Sequence, residues 1–368
     1  MGCRPMFLLD AGEAKELIPL KILFIVHNYC YSLVAYLPFV NSFPLMCVTV
    51  FAAYCQMVPT LALLDLAAMK LTGRHGGDFG KQRVYGAFGY GVGGYISGMM
   101  ASAVGIKWCF TMMLGVSCIS LALLVLYIPA GYGDDNDQPP QKGLLRSSVK
   151  HIMRRPDVLV LFVVALVAGI SGGFIDSYLF LQVYDLSDDG ATIVSVLVAV
   201  QTLSEIPLFF MSSVLIERFS TAGCLVIVII AFFIRDMVYT YMEEPWYIVP
   251  LEMLHGVTFG LLLASLTTYI YDASPKGAAG TMIGLLSAFM RGIGAGIASL
   301  VGGYIYDEFG VPTVWKIGAY GLVPASLLLI GVFAWLARRQ SSTTVDLEKQ
   351  LVDEADSTSE LSKVSQIQ

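Results

Sequence analysis

Ten long stretches of apolar residues follow one another along the chain and are separated mostly by short polar connections. Because an α-helix rises 1.5 Å per residue, a stretch of about 20 residues crosses a hydrocarbon layer of about 30 Å. The pattern therefore predicts an all-α, polytopic helical membrane protein with about ten transmembrane helices. The predicted spans are residues 20–40, 44–68, 82–104, 108–129, 157–183, 191–215, 222–242, 246–271, 278–304 and 312–337.

One connection is much longer than the others and divides the spans into a group of four and a group of six. It runs from Gly131 to Pro156, is polar throughout, and is acidic in its first part and basic in its second. The tail after the last span is rich in Ser, Thr and Glu, a composition typical of disordered segments. We therefore expect five units: a cytosolic N-terminal segment (1–19), a four-span bundle (20–130), a cytosolic interbundle loop (131–156), a six-helix bundle (157–339) and a disordered cytosolic tail (340–368).

The composition agrees with burial in lipid. Hydrophobic residues make up 56 % of the chain and charged residues only 14 %, whereas a soluble domain has about a quarter of its residues charged. The net charge of −6 is uninformative about nucleic acid, and because the chain has no basic patch we expect no nucleic-acid partner. The seven cysteines form no C-x-x-C pair and no metal-ligand spacing is present, so the sequence predicts neither a metal nor a cofactor. A nucleophile–base constellation is also missing, and we expect no enzymatic activity.

The distribution of Lys and Arg predicts the orientation of the spans. Basic residues concentrate in alternate connections, and the opposite connections are mainly acidic. Positively charged loops face the cytosol, so both termini are predicted to be cytosolic. All four tryptophans, Trp108, Trp246, Trp315 and Trp335, fall at the ends of predicted spans, where an interfacial aromatic belt places them.

Glycines recur at spacings of three and four residues in two spans, in the strings "YGAFGYGVGGYISG" and "GIGAGIASLVGGYIYD". Small residues at such spacings let helix backbones approach closely in lipid. These strings therefore predict tight helix–helix contacts rather than a nucleotide-binding loop, which would follow a strand and carry a phosphate-binding Lys.

Several ionisable residues interrupt the apolar spans. Each costs about 2.5–3.5 kcal/mol or more at the centre of a membrane helix, so their number indicates a function beyond packing. With the predicted orientation, Asp176, Glu205, Arg235, Glu252 and His255 lie at similar depth on several helices, which predicts one polar cavity. The eight residues are Asp65, Asp176, Glu205, Arg235, Asp236, Glu252, His255 and Arg291.

Glu252 and His255 are three positions apart and so lie on one face of a helix. Histidine titrates near neutral pH, and a neighbouring carboxylate can exchange a proton with it. We therefore predict proton coupling through Glu252 and His255, with Arg235 tuning or replacing the proton. The alternative is structural: Arg235 would pair with Glu205 or Asp176, and His255 would hydrogen-bond between helices.

A second group of charges lies near the cytosolic ends of the spans. Asp65 is close to the end of its span, and Lys81 and Arg83 open the next one on the same side. Together with Arg291, they are predicted to form a cytosolic gate. A purely structural latch is an equally good interpretation of Asp65, and Arg291 has the cavity as its alternative position.

Three strings resemble one branch of the major facilitator superfamily. "DFGKQRVYGAFGYGVGG" resembles the opening of that branch's fifth helix, "LEMLHGVTFG" its tenth helix, and "MRGIGAGIASLVGGYIYDEFG" its eleventh. The branch contains the sugar– and nucleoside–proton symporters and the orphan group of major facilitator superfamily domain-containing protein 6, to which the resemblance is closest. It extends over residues 18–337.

The resemblance implies two six-helix bundles, a binding site at the membrane midplane and alternating access. Only four spans precede the 131–156 loop, so the family's first two helices are expected to be missing. The lactose-permease relative carries a His and a Glu three apart on its tenth helix, an Arg on the ninth, and acids on the seventh and eighth. Here the order on the tenth helix is reversed, with Glu252 before His255.

The resemblance and the buried charges together predict a proton-coupled secondary transporter of a small polar or sugar-like solute. Asp176 and Glu205 would contact the solute or balance charge, and Tyr178 would stack on a sugar ring. The expected partners are this solute, protons and the lipid bilayer, and a monomer is expected. The alternative is a non-transporting receptor or scaffold, or a truncated gene product, built on a transporter fold.

Overall fold

The computed structural model describes residues 42–53, 79–127, 154–274 and 279–340. Regular structure within these residues is helical, and they contain no strand. Six of the described helices are long and apolar enough to cross a membrane. The prediction of an all-α polytopic membrane protein is therefore confirmed, whereas the span predicted at 20–40 and most of that at 44–68 lie outside the described residues.

The helices agree with the predicted spans to within a few residues at most ends. The last described helix ends at Gln340, and the first helix after the 131–156 loop begins at Pro156. The helices are α1 (Phe43–Ala53), α2 (Phe79–Val104), α3 (Ile106–Tyr127), α4 (Pro156–Leu186), α5 (Gly190–Thr240), α6 (Pro245–Ala273), α7 (Ala279–Phe309) and α8 (Val311–Gln340).

Helix α5 contains two predicted spans joined at a sharp reversal. A straight helix of its 51 residues would be about 76 Å long, more than twice the thickness of the bilayer core. Ser220 breaks it with φ 62° and ψ 165°, a conformation that is almost confined to glycine. We name the two arms α5a (190–219) and α5b (221–240). Gln201 of α5a and Arg235 of α5b bind the same carboxylate oxygen of Glu252, so the arms lie side by side.

Close backbone contacts hold α4 against α7. A Cβ atom added to Gly169 would lie 2.2 Å from the backbone oxygen of Met290, and one added to Gly173 would lie 2.8 Å from Cα of Ala295. No real side chain fits at such distances, so the two helices approach as closely as they do only because glycine is present. The glycine-rich string predicted to pack closely takes part through Gly294 of α7, whose added Cβ would lie 2.8 Å from the backbone oxygen of Leu166, whereas Gly169 and Gly173 were not singled out from sequence.

Helix α2 packs against α5a through a second glycine face. A Cβ atom added to Gly98 would lie 1.8 Å from Oγ of Ser195, and one added to Gly94 would lie 2.6 Å from Cγ1 of Val198. Gly93, between them in sequence, has nothing within 4 Å because it points to another side of α2. This contact connects the glycine-rich string of the first bundle to the six-helix bundle.

Polar contacts fasten both ends of α4. At its first turn, Oδ2 of the buried Asp157 accepts hydrogen bonds from Arg155 at 2.7 Å and from the hydroxyl of Tyr269, on α6, at 2.6 Å. At its last turn, Asp185 accepts a hydrogen bond from the hydroxyl of Tyr306, on α7. The helix is thus attached to a different neighbour at each end.

Candidate functional site: a polar cluster between α4, α5, α6 and α7

The site is built around an irregular stretch in α6. Helix α6 begins with two 3-10 turns, Pro245–Ile248 and Leu251–Leu254, and continues with π-helical turns at Gly256–Leu261 before its regular part. π-Helical insertions of this kind occur often at functional sites. The irregular geometry directs the backbone N–H of Gly256 to Oγ of Ser204, 2.8 Å away on α5a.

Gly256 sets the separation of α6 and α5a. A Cβ atom added there would lie 2.2 Å from the backbone oxygen of Ser204, so only glycine permits the approach. The contact brings the residues on either side into register, and Glu252 faces Gln201 while His255 faces Glu205. One backbone contact therefore positions both ionisable groups of α6.

The carboxylate of Glu252 is fully buried and is surrounded by donors. Its Oε2 accepts hydrogen bonds from Nε2 of Gln201 at 2.5 Å and from the guanidinium of Arg235 at 2.8 Å. Its Oε1 accepts a hydrogen bond from the hydroxyl of Tyr239. The donors come from both arms of α5, so Glu252 connects α5a, α5b and α6.

Arg235 uses all three sides of its guanidinium inside the bundle. Nε donates to the hydroxyl of Tyr239 at 2.8 Å, one terminal nitrogen donates to Oγ1 of Thr258 at 2.6 Å, and the other pairs with Glu252. The side chain is 1 % exposed, and its charge is balanced by the Glu252 carboxylate in direct contact. Two opposite charges are tolerated in the protein interior while they are paired, and removal of one leaves the other uncompensated.

His255 forms a second ion pair that is less buried. Its Nε2 lies 3.2 Å from Oε1 of Glu205, with the two side chains 16 % and 9 % exposed. The ring stacks on Phe259 at 5.5 Å between centroids, with an interplanar angle of 14°. Nδ1 is buried and has no hydrogen-bond partner within the described part of the chain. A hydrogen-bonding position therefore remains on the imidazole.

Asp176 and Arg291 extend this second pair. The guanidinium of Arg291, in the π-helical turns Ala288–Gly294 of α7, lies 5.3 Å from the centroid of Phe259. Asp176 on α4 is exposed, and the charges of His255 and Arg291 act on its carboxylate. Charged groups from α4, α5a, α6 and α7 are thus brought together, and we call Asp176, Glu205, His255 and Arg291 the open cluster.

The structure changes the predicted pairing within the site. The sequence predicts proton exchange between Glu252 and His255, but the side chain of each has a different partner, Arg235 and Glu205 respectively. The structural alternative predicted that Arg235 pairs with Glu205 or Asp176. In the structure, Arg235 instead contacts Glu252. The helices that carry these residues were predictable, and the pairs were not.

Tyr178 lies in a helix contact. It is 5 % exposed, its hydroxyl donates to the backbone oxygen of Ser299 at 2.6 Å, and its ring stacks on Tyr306 at 5.7 Å. A Cβ atom added to Gly302 would lie 2.5 Å from the Tyr178 ring. This position favours a packing role between α4 and α7 over the predicted stacking on a sugar ring.

The predicted gate stays a prediction. Asp65 lies outside the described residues, and Lys81 and Arg83 belong to α2, where the structure describes the backbone but not their side chains. The fourth predicted member, Arg291, lies beside Phe259 in the open cluster. Its placement agrees with the cavity alternative that the sequence also allowed.

Several residues of the site were not singled out from sequence. Tyr239 is four positions after Arg235, and Gln201 is four positions before Glu205, so each shares a helix face with a predicted residue. That spacing is a usable signal. Ser204 and Thr258 carried none, because hydroxyl residues are common in membrane helices and bond to their own backbone. Within the described residues, no group of His, Cys, Asp and Glu side chains is arranged to hold a metal ion.

Comparison with known proteins gives consistent matches. Residues 10–317 match the MFS_1 like family. The maltose permease of Geobacillus stearothermophilus is 26 % identical over 314 residues, which cover 83 % of this chain and 74 % of that protein. The major facilitator superfamily domain-containing protein 6-like protein of Danio rerio is 28 % identical over 116 residues, which cover 32 % of this chain and 21 % of that protein.

The fold is similar to that of a solved transporter. A crystal structure of a mutant of the nucleoside transporter NupG superposes with a TM-score of 0.66 and 16 % sequence identity, covering 85 % of this chain and 83 % of that one. At this level of identity the likeness concerns the architecture of the helices. The named relatives that match over most of the chain are transporters.

Proposed function

Because the chain belongs to the MFS_1 like family, it is a secondary transporter of the major facilitator superfamily, and we propose that it couples the movement of a small polyhydroxylated solute to protons. The family assignment confirms the resemblance found in the sequence and excludes the enzyme class, since the relatives are transporters. Solute and proton would share the open cluster and reach it from either side of the membrane by alternating access.

The observation that carries the proposal is the His255–Glu205 ion pair. It joins α6 to α5a at 3.2 Å, and both side chains retain some exposure. Histidine is the side chain whose charge changes most readily near neutral pH, and the Glu205 carboxylate lies in contact with the His255 ring as a counter-charge. A proton arriving at this pair therefore finds a basic nitrogen and a counter-charge.

The charge balance of the open cluster supports coupling. Asp176 and Glu205 contribute two negative charges and Arg291 one positive charge, which leaves one negative charge in excess when His255 is neutral. Protonation of His255 removes the excess. Because unbalanced charge inside a membrane is costly, the protonated carrier would reorient more easily than the unprotonated one.

Glu252 and Arg235 then have a supporting role instead of the proton-carrying role predicted from sequence. Both oxygens of Glu252 are occupied by donors, and the guanidinium of Arg235 is engaged on every side. A group held in this way fixes the relative position of its helices. We propose that the Arg235–Glu252 pair holds α5b against α6 so that His255 stays aligned with Glu205.

The solute class follows from exposed acceptors and from the relatives. The carboxylate of Asp176 is exposed and accepts hydrogen bonds only, which suits the hydroxyl groups of a sugar unit. Maltose and nucleosides, which appear in the names of the similar transporters, both contain such a unit.

The predicted orientation places the open cluster inside the membrane. With both termini cytosolic, α6 starts at the outer face, and His255 lies ten residues, or about 15 Å, from Pro245. That depth corresponds to the midplane of a bilayer core of about 30 Å. We propose that the transporting unit is a monomer.

Transport assays in proteoliposomes test the proposal. The purified full chain would be tested for uptake of labelled maltose and of a labelled nucleoside, with an imposed proton gradient and after its collapse by an ionophore. We expect accumulation only with the gradient. Glu205→Gln and His255→Asn should each reduce accumulation more than tenfold while solute exchange without a gradient is retained. Asp188→Asn, at an exposed loop position, is the matched control.

Two results would contradict the proposal. Uptake that is unaffected by the ionophore and by both variants would exclude proton coupling through this pair. Specific binding of a solute to the purified protein, with no flux in either variant or wild-type chain, would favour the receptor interpretation.

A further inference from the structure

Asp236 is a buried carboxylate that the proposed transport cycle does not use. It follows Arg235 on α5b, is 2 % exposed, and its Oδ2 has no hydrogen-bond partner within the residues that the structure describes. Consecutive helical residues point about 100° apart, so Arg235 faces α6 while Asp236 faces α8. The carboxylate is therefore separate from the open cluster and from the Arg235–Glu252 pair.

The wall opposite Asp236 is the backbone of α8. A Cβ atom added to Gly318 would lie 2.4 Å from Oδ2, so the carboxylate rests directly on this glycine. Gly318 opens the π-helical turns Gly318–Leu322. The absence of a side chain at this position is what leaves room for the carboxyl group between α5b and α8.

No cation compensates Asp236 by direct contact among the described residues. From its own helix, the charge that acts on it is that of Arg235, whose guanidinium nitrogens are bonded to Tyr239, Thr258 and Glu252 instead. From α8, the neighbouring charged residue is Lys316, which is exposed.

From α4, the nearby polar group is the uncharged Gln182. Its amide bridges the backbone oxygen of Tyr239 at 3.2 Å and Nε1 of Trp315 at 2.7 Å. An ionised carboxylate that is buried without a contacting cation or donor costs several kcal/mol, and protonation removes that cost. The surroundings on all three helices therefore favour the neutral form.

We propose that Asp236 is a second proton-binding site, in which the carboxyl group holds a proton between α5b and Gly318 of α8 and exchanges it only when these helices separate. The site differs from the His255–Glu205 pair in its helices and in its access. It does not depend on the proton-coupled transport of any solute. A protein with no uptake of maltose or nucleoside can still contain it.

Infrared spectroscopy tests the site without a transported solute. Protonated carboxyl groups absorb in a band of their own, separate from ionised carboxylates. With the full chain in lipid nanodiscs at neutral pH, we expect this band in the wild-type spectrum and its loss in Asp236→Asn. The exposed-loop variant Asp188→Asn should retain it. An unchanged band in Asp236→Asn would overturn the proposal.

A second pair of variants tests the location and does not alter the carboxyl group. Gly318→Ala places a methyl group against Oδ2 and should shift the band. Gly321→Ala, where the added Cβ would meet only Cγ2 of Ile317 at 3.8 Å, should leave it unchanged. If Gly318→Ala leaves the band in place, or if both variants shift it equally, Asp236 is not the proton-binding group.

Discussion

The guanidinium of Arg235 lies 2.8 Å from the carboxylate of Glu252, and the two side chains are 1 % and 0 % exposed. This ion pair is the most deeply buried one among the described residues. Its neighbours supply donors to the carboxylate and an acceptor to the guanidinium, so both charges are satisfied as long as they stay together. The pair explains how a chain with few charges tolerates two of them in its interior.

Removal of both members of this pair should cost much less stability than the sum of the two single removals. Arg235→Met leaves Glu252 charged and buried, and we expect a loss of about 3–5 kcal/mol in the free energy of unfolding. In the double variant Arg235→Met/Glu252→Gln the loss should be markedly smaller than the sum of the two single losses. Unfolding of the purified protein in detergent, followed by circular dichroism, measures all three values.

The control for this cycle is Asp188→Asn, which removes a charge from an exposed loop and should change stability by less than about 0.5 kcal/mol. Strictly additive losses in the double variant would mean that Arg235 and Glu252 do not interact in the folded protein.

A larger side chain on α2 should destabilise the protein only on the side of α2 that packs against α5a. Gly98→Leu forces a side chain into Ser195, and we expect a loss of about 1–3 kcal/mol from overpacking. Gly93→Leu, on the same helix with nothing within 4 Å of the added Cβ, is the matched control. Thermal unfolding in detergent compares the two, and equal melting temperatures would show that α2 does not pack on α5a through this face.

The reversal at Ser220 stores backbone strain that glycine would relieve. A non-glycine residue at φ 62° and ψ 165° lowers the free energy of unfolding by about 1–3 kcal/mol. Glycine avoids this strain but lowers the free energy of unfolding by roughly 0.5–1 kcal/mol, because its unfolded chain has more conformational entropy. Ser220→Gly should therefore raise the free energy of unfolding by about 1 kcal/mol. Ser220→Val should lower it, because a β-branched residue resists this conformation. If Ser220→Gly lowers the free energy of unfolding, the reversal of the chain does not lie at Ser220.

The helices of this protein were predictable from sequence because lipid imposes a length and a polarity on each span. The predicted spans and the observed helices agree even at the reversal, where the gap between residues 215 and 222 contains Ser220. The glycine strings likewise predicted close contacts, since few other roles suit small residues at those spacings.

The partners of the buried charges were not predictable in the same way. Spacing along one helix shows that Glu252 and His255 share a face, but not which side chains of other helices meet them. That depends on how α6 is positioned along α5a, which the contact between Gly256 and Ser204 fixes across 52 positions of sequence. A single sequence contains no signal for such a register. The same holds for Tyr178, whose neighbour Gly302 is on another helix.

The two attachments of α4 have a mechanical consequence. Because Asp157 is bound to Tyr269 at one end and Asp185 to Tyr306 at the other, α4 cannot turn by itself without breaking a contact to α6 or to α7. We therefore expect α4, α6 and α7 to move together as a rigid unit. Asp176 and His255 belong to two of these helices, so a joint movement of the helices should preserve the distance between them. The charged groups that α4, α6 and α7 contribute to the open cluster should therefore keep their arrangement when these helices move.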